Sequence, residues 1–385
     1  MTSIGELVRN VLNKTESASG RFGIWHITDT FGKKGFASTG SANERRRFAR
    51  LYLQSNTTRR RFQLSCAQFR CVQFRFAGFR QARSASDRLL ELSKNFGLSV
   101  LSELSMDSSL APLILRVPRF VALGIDLSES EDELLKGLPK DRRRLINRFS
   151  SSSFRAKIDR GESFTREFHD RYHTPSMRSS HGEEASIYST QEIRRILRKP
   201  NAEMIRLFQG EQCIAAGISE KVGAEYRLHK TGWLDGSQTL RDEGVQAFRV
   251  WSAIRRARQL GCQRLDLGGT PPFLLDGLFN YKMRWNSCVD TKRIAWGMHH
   301  LLFDPTHPEV QAFFSRQPMI IVDRMGELGI CSSTSPKLHG IKPNILRSFK
   351  SWWRLVSPEQ AADRRLPLGP TDRMPSGWFI EEPLD

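Results

Sequence analysis

The chain has 385 residues, 39% of them hydrophobic, and carries a formal net charge of +19 from 60 Lys and Arg against 41 Asp and Glu. That length admits two domains or one elaborated domain, the apolar content supports a buried core, and a pI near 10.2 asks for an anionic partner such as nucleic acid, a phosphorylated substrate or an anionic membrane surface. The six cysteines (66, 71, 213, 262, 288 and 331) contain no CxxC pair, and neither a secretory signal nor an apolar run long enough to span a bilayer is evident, which speaks against a disulfide framework or a transmembrane segment and for a reduced, cytoplasmic protein.

From the start of the chain, Ser3 and Glu6 stand at capping-box spacing ahead of Leu7, Val8, Val11 and Leu12, which predicts a short helix. Residues 15–40 are rich in Gly, Ser and Thr, with Trp25 and Ile27 marking at most one short strand. Between 44 and 83, Arg59, Arg60 and Arg61 are followed by Arg70 and Arg75 interleaved with Phe69, Phe74, Phe76 and Phe79. Arginines neutralise phosphates and aromatic faces stack on unpaired bases, so this is the candidate nucleic-acid-binding stretch; the alternation of Phe74 and Phe76 with Gln73 and Arg75 fits a half-buried strand equally well. The first 118 residues hold 19 Lys and Arg against 8 Asp and Glu, over half of the net charge. Asp87 to Lys94 reads as helix, residues 113–127 as strand segments broken at Pro118, and the shift of composition there sets a domain boundary.

Next, Glu129, Glu131, Asp132 and Glu133 open a helix whose later part carries Lys140, Arg142, Arg143, Arg144 and Arg148, a polarity that suits the helix dipole. Arg143 and Arg144 are either solvated or available to an anion. His169 and His173 share a helix face with Asp170 between them, but no third ligand is apparent and the base of the HExxH motif would be Glu, so no metal site is assigned. Residues 205–208, 213–219 and 225–231 read as consecutive strands, with His229 on the last as a candidate general base. Arg241 and Gly244 precede Val245, Phe248, Trp251, Ile254 and Leu260, an amphipathic helix whose Arg249, Arg255, Arg256 and Arg258 are expected to face water. Gly261 stands where a left-handed C-cap is wanted; residues 262–267 form a strand ended by Gly268, Gly269, Pro271 and Pro272, and a polar loop follows. Near the end, 319–322 and 328–331 pair around Gly326, and Ile345, Leu346, Phe349, Trp352, Trp353 and Val356 suggest a basic amphipathic helix, docked on the body or touching a membrane surface or RNA.

The run AIRRARQLGCQRLDLGG followed by GLFNYKMRWN resembles the second half of the Fem-type aminoacyltransferases and their relatives in the GNAT acyltransferase superfamily. Asp266, Gly268, Gly269, Tyr281, Lys282, Trp285 and Asn286 occupy the family's positions, with Tyr281 where Phe is usual and Asn286 where Gly is usual. A second patch, ALGIDLSESEDELLKGLPKDRRRLINR, resembles the family's strand, acidic helix start and basic helix, so the likeness covers roughly residues 119 to 297. The resemblance implies an α/β GNAT-like mixed sheet with flanking helices, alone or as a degenerate tandem in which residues 1–118 are a reduced first half. The expected division is a basic region (1–118), an acyltransferase domain (119–331) and a C-terminal tail (332–385).

It further implies transfer of an activated aminoacyl group, carried by tRNA, to an acceptor amine on a small molecule or peptide, with no tightly bound cofactor. Lys282 is the expected cation near the donor phosphate or the oxyanion, Asp266 or His229 the proton acceptor, and Gly268 and Gly269 the points of backbone approach. Arg178 falls in a region that forms part of the family's substrate cleft, and Tyr281, at the family's Phe position beside Lys282, is expected to help bind donor or substrate. Arg241 and Gly244 echo the pyrophosphate loop of acetyltransferases, which Gln246 interrupts. Two other readings stay open: an acyl-CoA-dependent N-acyltransferase, and a non-enzymatic RNA-binding protein on a GNAT scaffold.

Overall fold

The computed structural model describes residues 114–118, 120–150, 153–182, 185, 187–291, 298–303, 311, 314–315, 318–323, 325–334, 343–356 and 379–382, together with backbone segments at 23–29, 36–39, 69–75 and 98–102. Two compact units result: Met1–Val121 with Pro271–Asp276 and Thr291–Asp385, and Ala122–Thr270 with Gly277–Asp290. The first change of unit lies close to the expected boundary at 118. The expected one at 331 does not exist, because Met319–Val322, Leu328–Ser332 and Ser351–Leu355 are neighbouring strands of one sheet. Pairing between segments far apart in sequence, invisible to composition, decides that boundary.

The first unit carries an eight-stranded mixed sheet in the order Phe379–Glu382, Ser351–Leu355, Leu328–Ser332, Met319–Val322, Ile114–Pro118, Met298–Phe303, Leu98–Ser102 and Phe36–Thr39. A separate antiparallel pair joins Gly23–Asp29 to Phe69–Arg75, so Arg70 and Arg75 fall on a strand; Arg59, Arg60, Arg61 and the helices expected at 3–12 and 87–94 lie outside the described residues. The basic amphipathic helix expected near 345–356 is corrected: only Pro343–Leu346 is helical, and Ser351–Leu355 is a strand. Trp352 and Trp353 point to opposite faces of that strand and both are fully buried, along with Ile345, Leu346, Phe349 and Val356. The side chains proposed for membrane contact are therefore core of this unit. An apolar run that fits a helix face fits a doubly covered strand just as well, and tertiary burial chose the strand.

In the second unit, the chain runs β1 (Val121–Asp126), α1 (Glu131–Gly137), α2 (Lys140–Ser150), β2 (Phe154–Asp159), a helical turn Thr165–Glu167, a π-helix Phe168–His173, α3 (Thr174–His181), α4 (Thr190–Leu197), β3 (Ala202–Gln209), β4 (Gln212–Val222), β5 (Glu225–Trp233), α5 (Val245–Gln259), β6 (Arg264–Thr270), α6 (Gly277–Met283) and β7 (Cys288–Val289). The sheet order is β7-β1-β6-β5-β4-β3-β2. Strands β2 to β5 form an antiparallel meander, and α5 then carries the chain to β6, parallel to β5. This is the α/β mixed sheet with flanking helices that the sequence resemblance implied.

Alternation along the strands sends residues to two cores. Ile205, Leu207, Ala215, Leu265 and Leu267 pack under α1, α2 and α5, whereas Met204, Ala216 and Ile218 meet Phe168, Tyr172, Ile193 and Leu197 on the opposite face. Each fully buried Leu, Ile, Met or Phe among them contributes about 1.5–3 kcal/mol. The helix expected to run unbroken through Arg148 is two helices, because Pro139 has no amide hydrogen to donate. Ser130 caps the first through a reciprocal bond pair with Glu133 (3.2 and 2.8 Å). Gly261 is left-handed, φ +67°, closing α5 as expected. The arginines of α5 do not form a water-facing stripe. Arg256 binds the buried Glu203 at 2.7 and 2.8 Å, Arg255 pairs with Glu131, Arg258 reaches the carbonyls of Leu127 and Glu129, and Arg249 is buried beneath the sheet.

Candidate active site

Strands β5 and β6 pair only over Glu225–Arg227 and Arg264–Asp266. Beyond that point β5 slips its register against β4 between Leu228 and Thr231, while β6 continues to Thr270, so the glycine pair lies inside the strand rather than ending it. Gly268 adopts φ +76°, a conformation an L side chain enters with strain. The Asp266 carboxylate fixes it there by accepting the Gly268 amide hydrogen at 2.7 Å. Lys282 stands on α6, not in a loop, and its Nζ donates to the carbonyl oxygens of Gly268 and Gly269, both at 3.0 Å. Lys282 is only 8% exposed and Asp266 6%. A buried carbonyl demands a donor, and an ammonium makes that bond charge-assisted. Thus the lysine and the glycine pair, thirteen and fourteen residues apart, share one place.

His229 lies in the register break of β5, on the same strand face as Glu225 and Arg227 and opposite to Tyr226 and Leu228, which pack toward α5. Its Nε2 meets Glu220 Oε2 at 2.9 Å, and Glu220 is held in turn by Lys199 Nζ at 2.8 Å. Burial lowers the His229 pKa from 6.5, against an upward pull from Glu220 and a smaller one from Asp266. Burial also pushes the Glu220 carboxyl up, but bonds from Lys199 and His229 outweigh it and hold the group below its usual value. At neutral pH this pairs a neutral imidazole, Nε2–H donating, with a carboxylate. Arg227 bridges Glu225 (3.1 Å) and Asp266 (3.9 Å) across the same polar face.

Other predicted site residues sit elsewhere. Arg144, Arg178 and Arg241 are exposed on α2, α3 and the turn Gln238–Asp242, and Arg143 is half-buried on α2. Gly244 is left-handed, φ +86°, at the start of α5, where a Cβ would lie 2.9 Å from Leu145. Tyr281 turns away from the glycine pair to lie under Arg142, with 4.5 Å from the guanidinium carbon to the ring centroid. His173, fully buried, uses both nitrogens on backbone: Nδ1 donates to Thr231 O at 3.2 Å and Nε2 accepts from Tyr188 N at 3.1 Å. Burial lowers its pKa to about 4. Glu220, Lys199 and Arg227 were missed by the sequence reading, although Glu225, Arg227 and His229 at period two already marked a polar strand face.

No protein-family model matches the chain, and no curated protein matches it. Solved structures similar to it include FemX, at 11% identity over 58% of this chain and 76% of that one with a TM-score of 0.39. Another is the C-terminal domain (DUF2156) of a putative lysylphosphatidylglycerol synthetase from Agrobacterium fabrum, at 10% identity, 60% and 75% coverage and a TM-score of 0.35. A tandem GNAT protein from the clavulanic acid biosynthesis pathway is similar at 9% identity, 57% and 68% coverage and a TM-score of 0.32.

Proposed function

We propose that the second unit is an N-acyltransferase that passes an activated aminoacyl group, carried by tRNA, to an acceptor amine. The observation that supports it best is the buried Lys282 ammonium held on a left-handed glycine at the parting of two parallel strands, with a neutral histidine backed by a carboxylate on the adjoining strand. Attack of an amine on an ester carbonyl develops negative charge on oxygen and leaves a proton to be removed from nitrogen. A fixed cation in a site of low dielectric answers the first need, and a neutral imidazole the second. His229 suits the proton better than Asp266, whose carboxylate is engaged by the Gly268 amide and, more distantly, by Arg227. In this reading Asp266 sets the strand geometry, Lys282 stabilises the oxyanion and His229 accepts the proton. The net charge of +19 supplies long-range attraction for a polyanionic carrier.

The experiment is to incubate the purified chain with charged tRNA or with acyl-CoA donors and a mixture of amines, and to look for new amides by mass spectrometry. Amide formation from charged tRNA alone is expected. Amides from acyl-CoA alone would replace the donor, and RNA binding with no amide from either donor would remove the enzyme.

A further inference from the structure

A second cluster of polar groups lies on the other side of the sheet, among α2, α5 and α6. Arg142 of α2 and Arg249 of α5 are 7% and 6% exposed, and among the described residues neither has a carboxylate partner. The Arg142 guanidinium lies over Tyr281 and 5.4 Å from the Trp285 ring centroid. Arg142 Nε, Arg249 Nη2, Tyr281 Oη and Trp285 Nε1 are all buried without a hydrogen-bond partner among the described residues. Tyr281 also feels its neighbours: burial pushes the phenol up, while the Arg142 charge, the approach of the Trp285 N–H to its oxygen and the more distant Arg249 charge pull it down, and burial takes Arg249 itself down to about 10, leaving it charged at neutral pH. The backbone makes room for this guanidinium, since a Cβ on Gly217 would stand 2.1 Å from Arg249 Nε.

The other basic residues of α5 show what is unusual here. Arg255, Arg256 and Arg258 all find carboxylates or carbonyls, whereas the most buried arginine of the helix has none. A buried, unpaired charge costs several kcal/mol, and a buried N–H without an acceptor adds to that. The Trp285 N–H is turned on the Tyr281 oxygen, but the two cations and the Tyr281 O–H lack the same thing, an acceptor that carries negative charge. We propose that Arg142, Arg249, Tyr281 and Trp285 form a buried binding site for a small oxyanion, the carboxylate or phosphate group of a ligand. Arg142 and Arg249 supply the charge, while the Tyr281 O–H, held by the Trp285 N–H, supplies a neutral donor that fixes its orientation.

The test is calorimetric titration of the full chain with sodium acetate and, separately, sodium phosphate, at an ionic strength held constant with chloride. One saturable site is expected, and the stronger probe tells carboxylate from phosphate. Arg249→Met and Arg142→Met should each weaken that binding by about tenfold or more, whereas Arg255→Met, which removes only an exposed pair, should leave it unchanged. Near-UV circular dichroism reports whether each variant is folded; should Arg249→Met not fold, Arg142→Met decides. Absence of saturable binding for both probes, or the same affinity in the folded methionine variants, overturns the proposal. Because binding rather than turnover is read, the result stands apart from the acyl-transfer reading.

Discussion

Two histidines sit on neighbouring stretches of the second unit and have opposite surroundings. His173, on the π-helix, is sealed from solvent and spends both nitrogens on the backbone of Thr231 and Tyr188. His229, in the register break of β5, is a quarter exposed and spends one nitrogen on a carboxylate. Both are shifted toward the neutral form by burial, so ionisation alone does not separate them. What separates them is whether a ring nitrogen is left over for a substrate. The first histidine ties a helix to a strand; the second is the one that, in the proposed reaction, would exchange a proton.

That contrast can be broken in order of expected effect. Lys282→Met, which removes the cation on the His229 side of the contrast, should slow acyl transfer by about 10³-fold, the usual loss when an oxyanion donor is deleted, with RNA affinity retained. Chemical denaturation against pH addresses His173. Its folded-state pKa lies below the unfolded value, so the unfolded chain binds the extra proton: the stability is present above about 6.5 and drains away as pH falls toward 4. The loss is roughly 3 kcal/mol, and His173→Gln should flatten that dependence. His229→Gln should cost about 10²-fold in turnover with little change in stability. In the unaltered protein the rate should climb with pH through a midpoint below 6.5, where His229 loses its proton, and this limb should vanish in the variant. A His173 substitution that abolished this limb would reverse the roles. Gly268→Ala should be the mildest, costing about 1–2 kcal/mol for the left-handed backbone, because the nearest atoms to its Cβ are 3.8 Å away.

Much of this arrangement was legible in the amino acids. Period-two alternation gave the meander of β3, β4 and β5, three-to-four spacing gave α5, and Gly261 gave its end. The proximity of Lys282 to the glycine pair was also readable, through family resemblance rather than periodicity. Other features were not. Gly268 and Gly269 look like strand breakers, yet Asp266 holds them within β6 by a local side-chain bond. Arg249 looks like a solvent residue, because nothing in its neighbours announces a glycine cradle thirty-two positions earlier. Trp352 and Trp353 fit a helix pattern, yet they lie on an inner strand, paired at both edges, and are buried on both of its faces. Each of these depends on a partner distant in sequence.

The central claim is that Lys282 and His229 serve one reacting carbonyl, and a double-mutant cycle on the rate of amide formation tests it most directly. If they act as a unit, the combined Lys282→Met and His229→Gln variant should be no more than about threefold slower than Lys282→Met alone. Losses that simply multiply, or an unaltered protein with no amide-forming activity, would contradict the account.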